Sequence, residues 1–362
     1  MQVAIVIPSL NPDTRLVAYC RALRDKTDSP ILLVDDGSRD DCQAIFNACL
    51  AVGKDISVIR HDVNMGKGRA LKTAFARLLG QYNDIVGCVT CDSDGQHSVP
   101  DVVRCIEALK QSPESLILGC RRFDGDDVPW KSRFGNKWMR SLFLFVSGYH
   151  FQDTQTGLRA IPIDFMRALL EVPGERFEFE SEMLLHLRGR RLVQIPVKTI
   201  YENGNRKTHF RPIADSMKIL GVLFRAWARR FFVFILISLS SCALDLGLFH
   251  FLHQMATRRE MPGRLFFSIG IARCISLVFN YLCNRHIAFR NEGKRSFFGG
   301  RALGKYLVLA ACLLVASYLL TKGVAFWLTG TSVTLIKAGV DLFLFFVSYS
   351  IQRAFVFKPG RN

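Results

Sequence analysis

The chain has 362 residues, is 49% hydrophobic and carries a formal net charge of +17. That length excludes one compact domain of ordinary size and predicts two, while the charge selects anionic partners: nucleic acid, a phosphorylated substrate or an anionic membrane face. Eleven cysteines show neither a disulfide nor a zinc spacing, so Cys88-x-x-Cys91 reads as apolar filling of a strand in a reduced compartment. The start, Met1 to Pro8, is short, β-branched and without a basic run, which predicts no signal peptide.

Up to about residue 230, short apolar runs alternate with amphipathic stretches. Strands are predicted at 3–7, 31–34, 56–60, 85–91, 115–119 and 193–198, and helices at 13–25, 39–51, 67–79 and 99–111. Strand and helix alternating at this spacing imply a doubly wound, mostly parallel α/β sheet that binds ligands at the carboxyl ends of its strands. The first strand ends in Pro8-Ser9-Leu10-Asn11-Pro12 and the second in Val34-Asp35-Asp36-Gly37-Ser38. The third runs on to Asn64-Met65-Gly66-Lys67-Gly68, and the fourth delivers Asp92-Ser93-Asp94-Gly95-Gln96-His97.

Side chains at i and i+2 of an extended segment point the same way, so Asp92 and Asp94 can share one hard cation, Mg²⁺ or Mn²⁺. The alternative is an Asp-rich turn capping a helix that starts at Ser98-Val99-Pro100-Asp101. Four polar strand ends in a row favour one mouth that binds a sugar nucleotide. Carboxylates would meet the base and ribose, a metal the diphosphate, and Lys67 would be a countercharge.

Arg121, Arg122, Lys131, Arg133, Arg206 and Lys207 follow the acidic motif. Singly they read as solvated surface charges; together they read as a cradle for an acceptor phosphate. A lipid phosphate suits such a cradle, because its second pKa of about 6 leaves it largely dianionic and ready to attack without a general base. Residues 132–148 and 213–230 mix cations with Trp, Phe, Met and Leu at helical spacing, which reads as helices lying in the headgroup plane, with ordinary core-facing helices as the alternative. Glu180 and Glu182 fall on a predicted helix, 178–188, without an assigned role.

Beyond Arg230 four apolar runs, about 231–252, 265–283, 306–328 and 333–352, are each near the length a bilayer core demands. Lys218, Arg225, Arg229, Arg230, Arg285, Arg290, Lys294, Arg295, Arg301, Lys305, Arg353, Lys358 and Arg361 flank one side, against Arg258, Arg259 and Arg264 on the other. The positive-inside rule therefore puts both termini and the first domain in the cytoplasm. Asn280-Tyr281-Leu282-Cys283-Asn284-Arg285-His286-Ile287-Ala288-Phe289-Arg290 returns 68 residues later as Ser348-Tyr349-Ser350-Ile351-Gln352-Arg353-Ala354-Phe355-Val356-Phe357-Lys358. Asp245, Arg273, Lys322, Lys337 and Asp341 lie in or near the spans, either as a polar headgroup path or as ion pairs that fix helix packing.

The four strand-end blocks, with Asp153-Thr154-Gln155-Thr156-Gly157-Leu158-Arg159-Ala160, Arg176-Phe177-Glu178-Phe179-Glu180 and His209-Phe210-Arg211-Pro212-Ile213-Ala214-Asp215-Ser216, resemble a family 2 glycosyltransferase. Within that family they resemble the polyprenyl-phosphate sugar transferases, the dolichyl-phosphate mannose synthase and bactoprenol glucosyltransferase group. No Q-x-x-R-W block of the processive synthases is found, so one transfer per encounter is expected. The four spans and the internal repeat resemble the GtrA-like membrane family, thought to move lipid-linked sugars across the bilayer. The resemblance implies a GT-A-like nucleotide-sugar domain over 1–212, a juxtamembrane amphipathic helix over 213–230 and an all-α domain of four transmembrane helices over 231–362.

By the same resemblance, Pro8, Leu10, Asn11, Asp35, Asp36, Asn64, Lys67, Gly68, Asp92 and Ser93 bind the nucleotide-sugar, and Asp92, Asp94 and Gln96 the metal. Arg121, Lys131, Arg133, Arg206 and Lys207 take the acceptor phosphate, and Asp94, Arg121, Arg133 and Gln155 carry catalysis. Leu10 and Pro12 depart from the aromatic and the Glu of many relatives. The expected reaction is inverting transfer of one sugar from a UDP- or GDP-sugar to undecaprenyl or dolichyl phosphate at the cytoplasmic membrane, with the bilayer a partner and nucleic acid not one. A diacylglycerol or ceramide hydroxyl as acceptor, a transport or scaffold protein with an inactive transferase domain, and a homo-oligomer stay open, as do the sugar and the nucleotide.

Overall fold

The structure is a computed structural model that describes residues 2–82, 84–121, 130–187, 189–198, 212–259, 262, 264–289, 300–327 and 333–357. They form two compact units that divide between Phe224 and Arg225.

The first unit is a mostly parallel seven-stranded sheet with helices between its strands, the α/β class its alternating pattern predicts. In chain order it has β1 (Gln2–Ser9), α1 (Arg15–Arg24), β2 (Ile31–Asp35), α2 (Gln43–Leu50), β3 (Ile56–Arg60), α3 (Lys67–Gln81), β4 (Ile85–Thr90) and α4 (Val99–Gln111). β5 (Leu116–Arg121), α5 (Trp130–Ser147), β6 (Arg159–Pro162), α6 (Ile163–Leu169), α7 (Glu178–Leu185) and β7 (Leu192–Val197) follow. The order across the sheet is β3-β2-β1-β4-β6-β5-β7. The chain runs outward from β1 through β2 to β3, then returns to β4 on the other side of β1. The carboxyl ends of β1 and β4 therefore flank the switch point, where open α/β sheets form their ligand crevice.

Burial explains the strands. β2 is buried throughout and Val3 to Ile7 of β1 are fully buried, as expected of continuous apolar runs covered on both faces. Seven cysteines of this unit, Cys88 and Cys91 among them, are buried free thiols, and burial pushes the Cys91 thiol up to about 12. The sequence pattern missed β6, a four-residue strand inside the block from Asp153 to Pro162, which runs antiparallel to β4 and β5. Its entry depends on Gly87, where an added Cβ would sit 2.2 Å from the Ile161 carbonyl oxygen.

The second unit contains the four apolar runs as helices. α8 (Pro212–Arg258) takes in both the 213–230 stretch and the first apolar run. α9 (Arg264–Cys283), α10 (Gly300–Trp327) and α11 (Val333–Ile351) carry the others. Asp215–Arg258 is long and apolar enough to cross a membrane.

The repeated segments each add one turn of π-helix, Asn284–Ala288 after α9 and Gln352–Val356 after α11. They pack on each other reciprocally. Tyr281 lies 5.7 Å from Phe357, Tyr349 lies 5.6 Å from Phe289, and the Asn284 amide donates to Gln352 Oε1 at 3.4 Å.

Gly87→Ala is expected to lower stability by about 1–3 kcal/mol, the cost of overpacking a close backbone approach. Denaturant unfolding of the full chain checks this, and an unshifted midpoint would mean that β6 can move aside.

Candidate active site

The ends of β1 and β2 are paired in register, with Ser9 opposite Asp35, and their side chains tie the neighbouring loops together. Asn11 takes a left-handed backbone conformation, φ 48°. Its N–H donates to Ser38 Oγ at 2.8 Å and its Oδ1 accepts from the Arg39 N–H at 3.0 Å. Asp35 is fully buried and accepts from the Ser38 N–H at 2.8 Å and from Gln43 Nε2 at 2.9 Å. Asp36 accepts from the Met65 N–H at 3.0 Å and the Gly66 N–H at 2.7 Å, and its Oδ1 lies 2.8 Å from His61 Nδ1. These two carboxylates thus build the rim from within, while Pro8, Leu10 and Asn11 are partly exposed on it and Asn64 is exposed.

Asp36 fixes the turn that launches α3, and Gly66 at its start has φ 103°, open to glycine at little cost. An added Cβ on Gly68 would sit 2.6 Å from Phe179 Cβ, so this glycine serves the packing of α3 on α7. Lys67, the first residue of α3, then reaches across to β4. Its Nζ lies 2.7 Å from Asp92 Oδ1 and 3.1 Å from Glu180 Oε1. Glu180 sits 3.9 Å from the buried guanidinium of Arg159, which also donates to the Glu180 carbonyl at 2.7 Å. Asp92 Oδ2 lies 3.2 Å from His97 Nε2. Arg159, Glu180, Lys67 and Asp92 therefore form one chain of alternating charge, with His97 a hydrogen-bond partner at its end.

Burial alone would lower the Lys67 ammonium, but Asp92 and Glu180 outweigh it and hold it above the ordinary lysine range. Burial likewise opposes the Asp92 charge, and Lys67 and His97 overcome it to hold the carboxyl well below the usual range. Asp94 goes the other way. Burial pushes its carboxyl up, and the nearby Asp92 charge adds to this against the 3.0 Å hydrogen bond that it accepts from the Gln96 N–H. Neither aspartate caps α4, since that cap is Ser98, whose Oγ accepts from the Asp101 N–H at 3.3 Å. Ser93 and Gln96 are half-buried beside them.

A strand-to-loop glycine completes the acidic corner. A Cβ on Gly157 would sit 2.4 Å from Asp92 Oδ2, and the Gly157 carbonyl accepts from Thr90 Oγ1 at 2.9 Å. The motifs read from the sequence assign no role to Gly157, His97 or Arg159 and leave that of Glu180 open. The pairing of β6 with β4 and the packing of α7 on α3 give them one.

Arg121, at the end of β5, forms a forked pair with the fully buried Asp153: Nε to Oδ2 at 2.7 Å and Nη2 to Oδ1 at 3.1 Å. Asp153 Oδ1 also accepts from the Gln155 N–H at 3.0 Å, and Gln155 is exposed. Arg133 is exposed on α5. The Lys131 side chain, Arg122, Arg206 and Lys207 lie outside the described residues. α5 has two apolar faces: Met139, Phe143 and Val146 are buried, whereas Phe134, Trp138, Leu144 and Phe145 are exposed among Arg133 and Lys137. In α8, Ile219, Val222 and Leu223 are buried while Met217 and Phe224 are exposed.

In the second unit, Arg273 Nη2 pairs with Asp245 Oδ2 at 3.2 Å, and Ser276 Oγ donates to Asp245 Oδ1 at 2.9 Å. Lys322 is exposed, and the side chains of Lys337 and Asp341 lie outside the described residues.

Arg121→Ala is expected to cost on the order of 3 kcal/mol, because it strips the countercharge from a buried carboxylate. Arg133→Ala is expected to leave the unfolding midpoint within about 0.5 kcal/mol of the parent. Parallel unfolding curves check the contrast.

Residues 4–169 match the family model for glycosyl transferase family 2, and residues 233–357 that for the GtrA/DPMS transmembrane domain. An uncharacterized protein of Methanocaldococcus jannaschii is 28% identical over 206 residues, 55% of this chain and 82% of that one. The UDP-N-acetylglucosamine–dolichyl-phosphate N-acetylglucosaminyltransferase of Methanococcus voltae is 26% identical over 215 residues, 54% of this chain and 85% of that one. The undecaprenyl-phosphate 4-deoxy-4-formamido-L-arabinose transferase of Sodalis glossinidius is 30% identical over 204 residues, 54% and 59% of the two chains. The sheet with its charged mouth and these matches agree: the chain is a glycosyltransferase and membrane protein, with a family 2 glycosyl transferase domain in residues 4–169 and a GtrA/DPMS transmembrane domain in residues 233–357.

Proposed function

We propose that the protein moves one sugar from a nucleotide-sugar to a polyprenyl phosphate at the cytosolic face of a membrane, with inversion at the anomeric carbon. The observation that carries this reading is the acidic corner at the switch point, Asp92 and Asp94 beside Lys67. Dolichyl phosphate and undecaprenyl phosphate in the names of the relatives support the acceptor.

The donor's nucleoside would lie along Pro8, Leu10 and Asn11, on a rim that Asp35 and Asp36 hold in shape. The residues fit a hard divalent cation. Asp94 is a partly buried carboxylate raised by its surroundings, which a cation would relieve, and oxygen ligands suit Mg²⁺ or Mn²⁺. Among the described residues no group of three or more His, Cys, Asp or Glu side chains is placed to hold a metal. Asp92, Asp94 and Gln96 would therefore supply part of the shell, and diphosphate and water the rest. When bound, such an ion stabilises negative charge on the departing diphosphate.

The chain's own groups do the remainder. Lys67 faces the same developing charge. Arg121, oriented by Asp153, and Arg133, with Lys131, Arg206 and Lys207, would draw in the acceptor phosphate, whose oxygen attacks the anomeric carbon as the glycosyl–phosphate bond breaks. Exposed Phe134, Trp138 and Phe145 among cations on α5 suit the headgroup plane of a bilayer, and the basic flanks of the spans support a cytosolic position for the transferase domain.

Membranes holding the full chain, given radiolabelled UDP- and GDP-sugars, are expected to pass label into an organic-extractable, mild-acid-labile lipid. A chelator should abolish the transfer, and Asp94→Asn should lower it on the order of a hundredfold or more. Label appearing only in alkali-labile glycerolipid, or transfer indifferent to the chelator, would overturn the reading. Gly157→Ala, which displaces Asp92, is expected to reduce turnover on the order of a hundredfold and to lower stability by about 1–3 kcal/mol, read from initial rates and denaturant unfolding in parallel.

A further inference from the structure

We infer that Lys67 is a built-in stand-in for the divalent cation: it neutralises Asp92 when no ion is bound, competes with the ion for that carboxylate, and is kept at hand by Glu180 when the ion displaces it. This inference rests on the metal–diphosphate reading of the same corner and adds the order in which its charges are exchanged.

The geometry supplies both seats of the lysine. Its Nζ is 2.7 Å from Asp92 Oδ1 and 3.1 Å from Glu180 Oε1, and its side chain is only 16% exposed. The backbone that carries it is pinned, because Asp36 holds the Met65 and Gly66 amides. Asp92 cannot swing away from it freely, since Oδ2 is backed by Gly157 and faces His97 Nε2. Glu180 is held in turn by α7, with Arg159 against its carbonyl and carboxylate.

The charges then decide the behaviour. Arg159, Glu180, Lys67 and Asp92 sum to zero, so the corner is balanced before any ligand arrives, with Asp94 the carboxylate in excess. A half-buried carboxylate left without a countercharge is costly, and Lys67 spares Asp92 that cost. A divalent ion and an ammonium cannot both use the same lone pairs of Oδ1. Entry of the ion therefore requires Lys67 to give up that contact, and Glu180, already within 3.1 Å, receives it. The displaced ammonium stays beside the ion, where the diphosphate of the donor offers it new acceptors. Metal and nucleotide accordingly bind better together than apart, because the nucleotide compensates Lys67 for the oxygen it has lost.

The test is titration of Mn²⁺ alone into the full chain in detergent, followed by the paramagnetic signal of free Mn²⁺. Lys67→Met is expected to bind Mn²⁺ about tenfold tighter than the parent, since removing a competing positive charge at contact distance favours the ion. Glu180→Gln is expected to bind it about tenfold more weakly, because Lys67 then has only Asp92 to hold. The double variant should match Lys67→Met, as Glu180 acts through the lysine. A lysine that merely supports the fold would weaken Mn²⁺ binding when removed, and that result, or a Glu180→Gln variant that binds as tightly as the parent, overturns the proposal. Should Lys67→Met lose its folding transition, Lys67→Gln takes its place, and Glu180→Gln keeps the proposal exposed on its own. Asp94→Asn separates this from the underlying reading: if it leaves Mn²⁺ binding intact, the metal site itself is wrong, whatever the lysine variants do.

Discussion

An ammonium shared between two carboxylates, Lys67 between Asp92 and Glu180, is the contact on which the mouth of the sheet depends. It joins the start of α3, the end of β4 and α7, three elements that no single stretch of chain brings together. Charges this poorly solvated are tolerated only when each has a partner. The alternating run from Arg159 to Asp92 meets that condition without a ligand, so the fold can present acidic groups at the crevice and stay assembled. The glycines follow from it. Gly157 leaves room for the Asp92 carboxylate, Gly68 lets α3 approach α7, and Gly66 provides the turn that aims Lys67.

Carboxylates at the strand ends do two different jobs. Asp35 and Asp36 are buried and held by backbone amides, Gln43 and His61, so their first task is to shape loops. Asp94 accepts a backbone hydrogen bond where burial raises its carboxyl, and Asp92 is balanced by Lys67. The first pair lowers its energy by staying where it is; the second gains from a further positive charge. Arg121 shows the same division among the cations, because its fork to Asp153 makes it part of the scaffold as well as a candidate for the acceptor.

The membrane unit follows a different logic. Its two repeated segments close α9 and α11 with a π-turn each, and the Tyr of one copy packs on the Phe of the other. Buried Arg285 and Arg353 donate to the Tyr one turn earlier in their own copies. Sequence repetition thus becomes reciprocal packing, an economical way to join two helical hairpins where lipid offers no hydrophobic drive for association.

Much of this was legible in the chain. Periodicity placed six of the seven strands, the helices α1 to α4 between the first five and the four long apolar runs, but neither β6 nor α6, because burial on two faces or in lipid leaves a pattern in consecutive residues only where the segment is long enough. Four polar strand ends marked the crevice, since a parallel sheet puts them on one edge. What the order of residues could not show was partnership. The fork of Arg121 with Asp153 spans 32 residues, and Lys67 meets Asp92 across 25; charge pairing at such separations has no period to read. β6 escaped notice because four residues ending in Pro are too short for alternation to register, and only the close approach at Gly87 makes them a strand. The residue types at the mouth were thus set by local sequence, whereas which charge neutralises which was decided by helices and strands packing from distant parts of the chain.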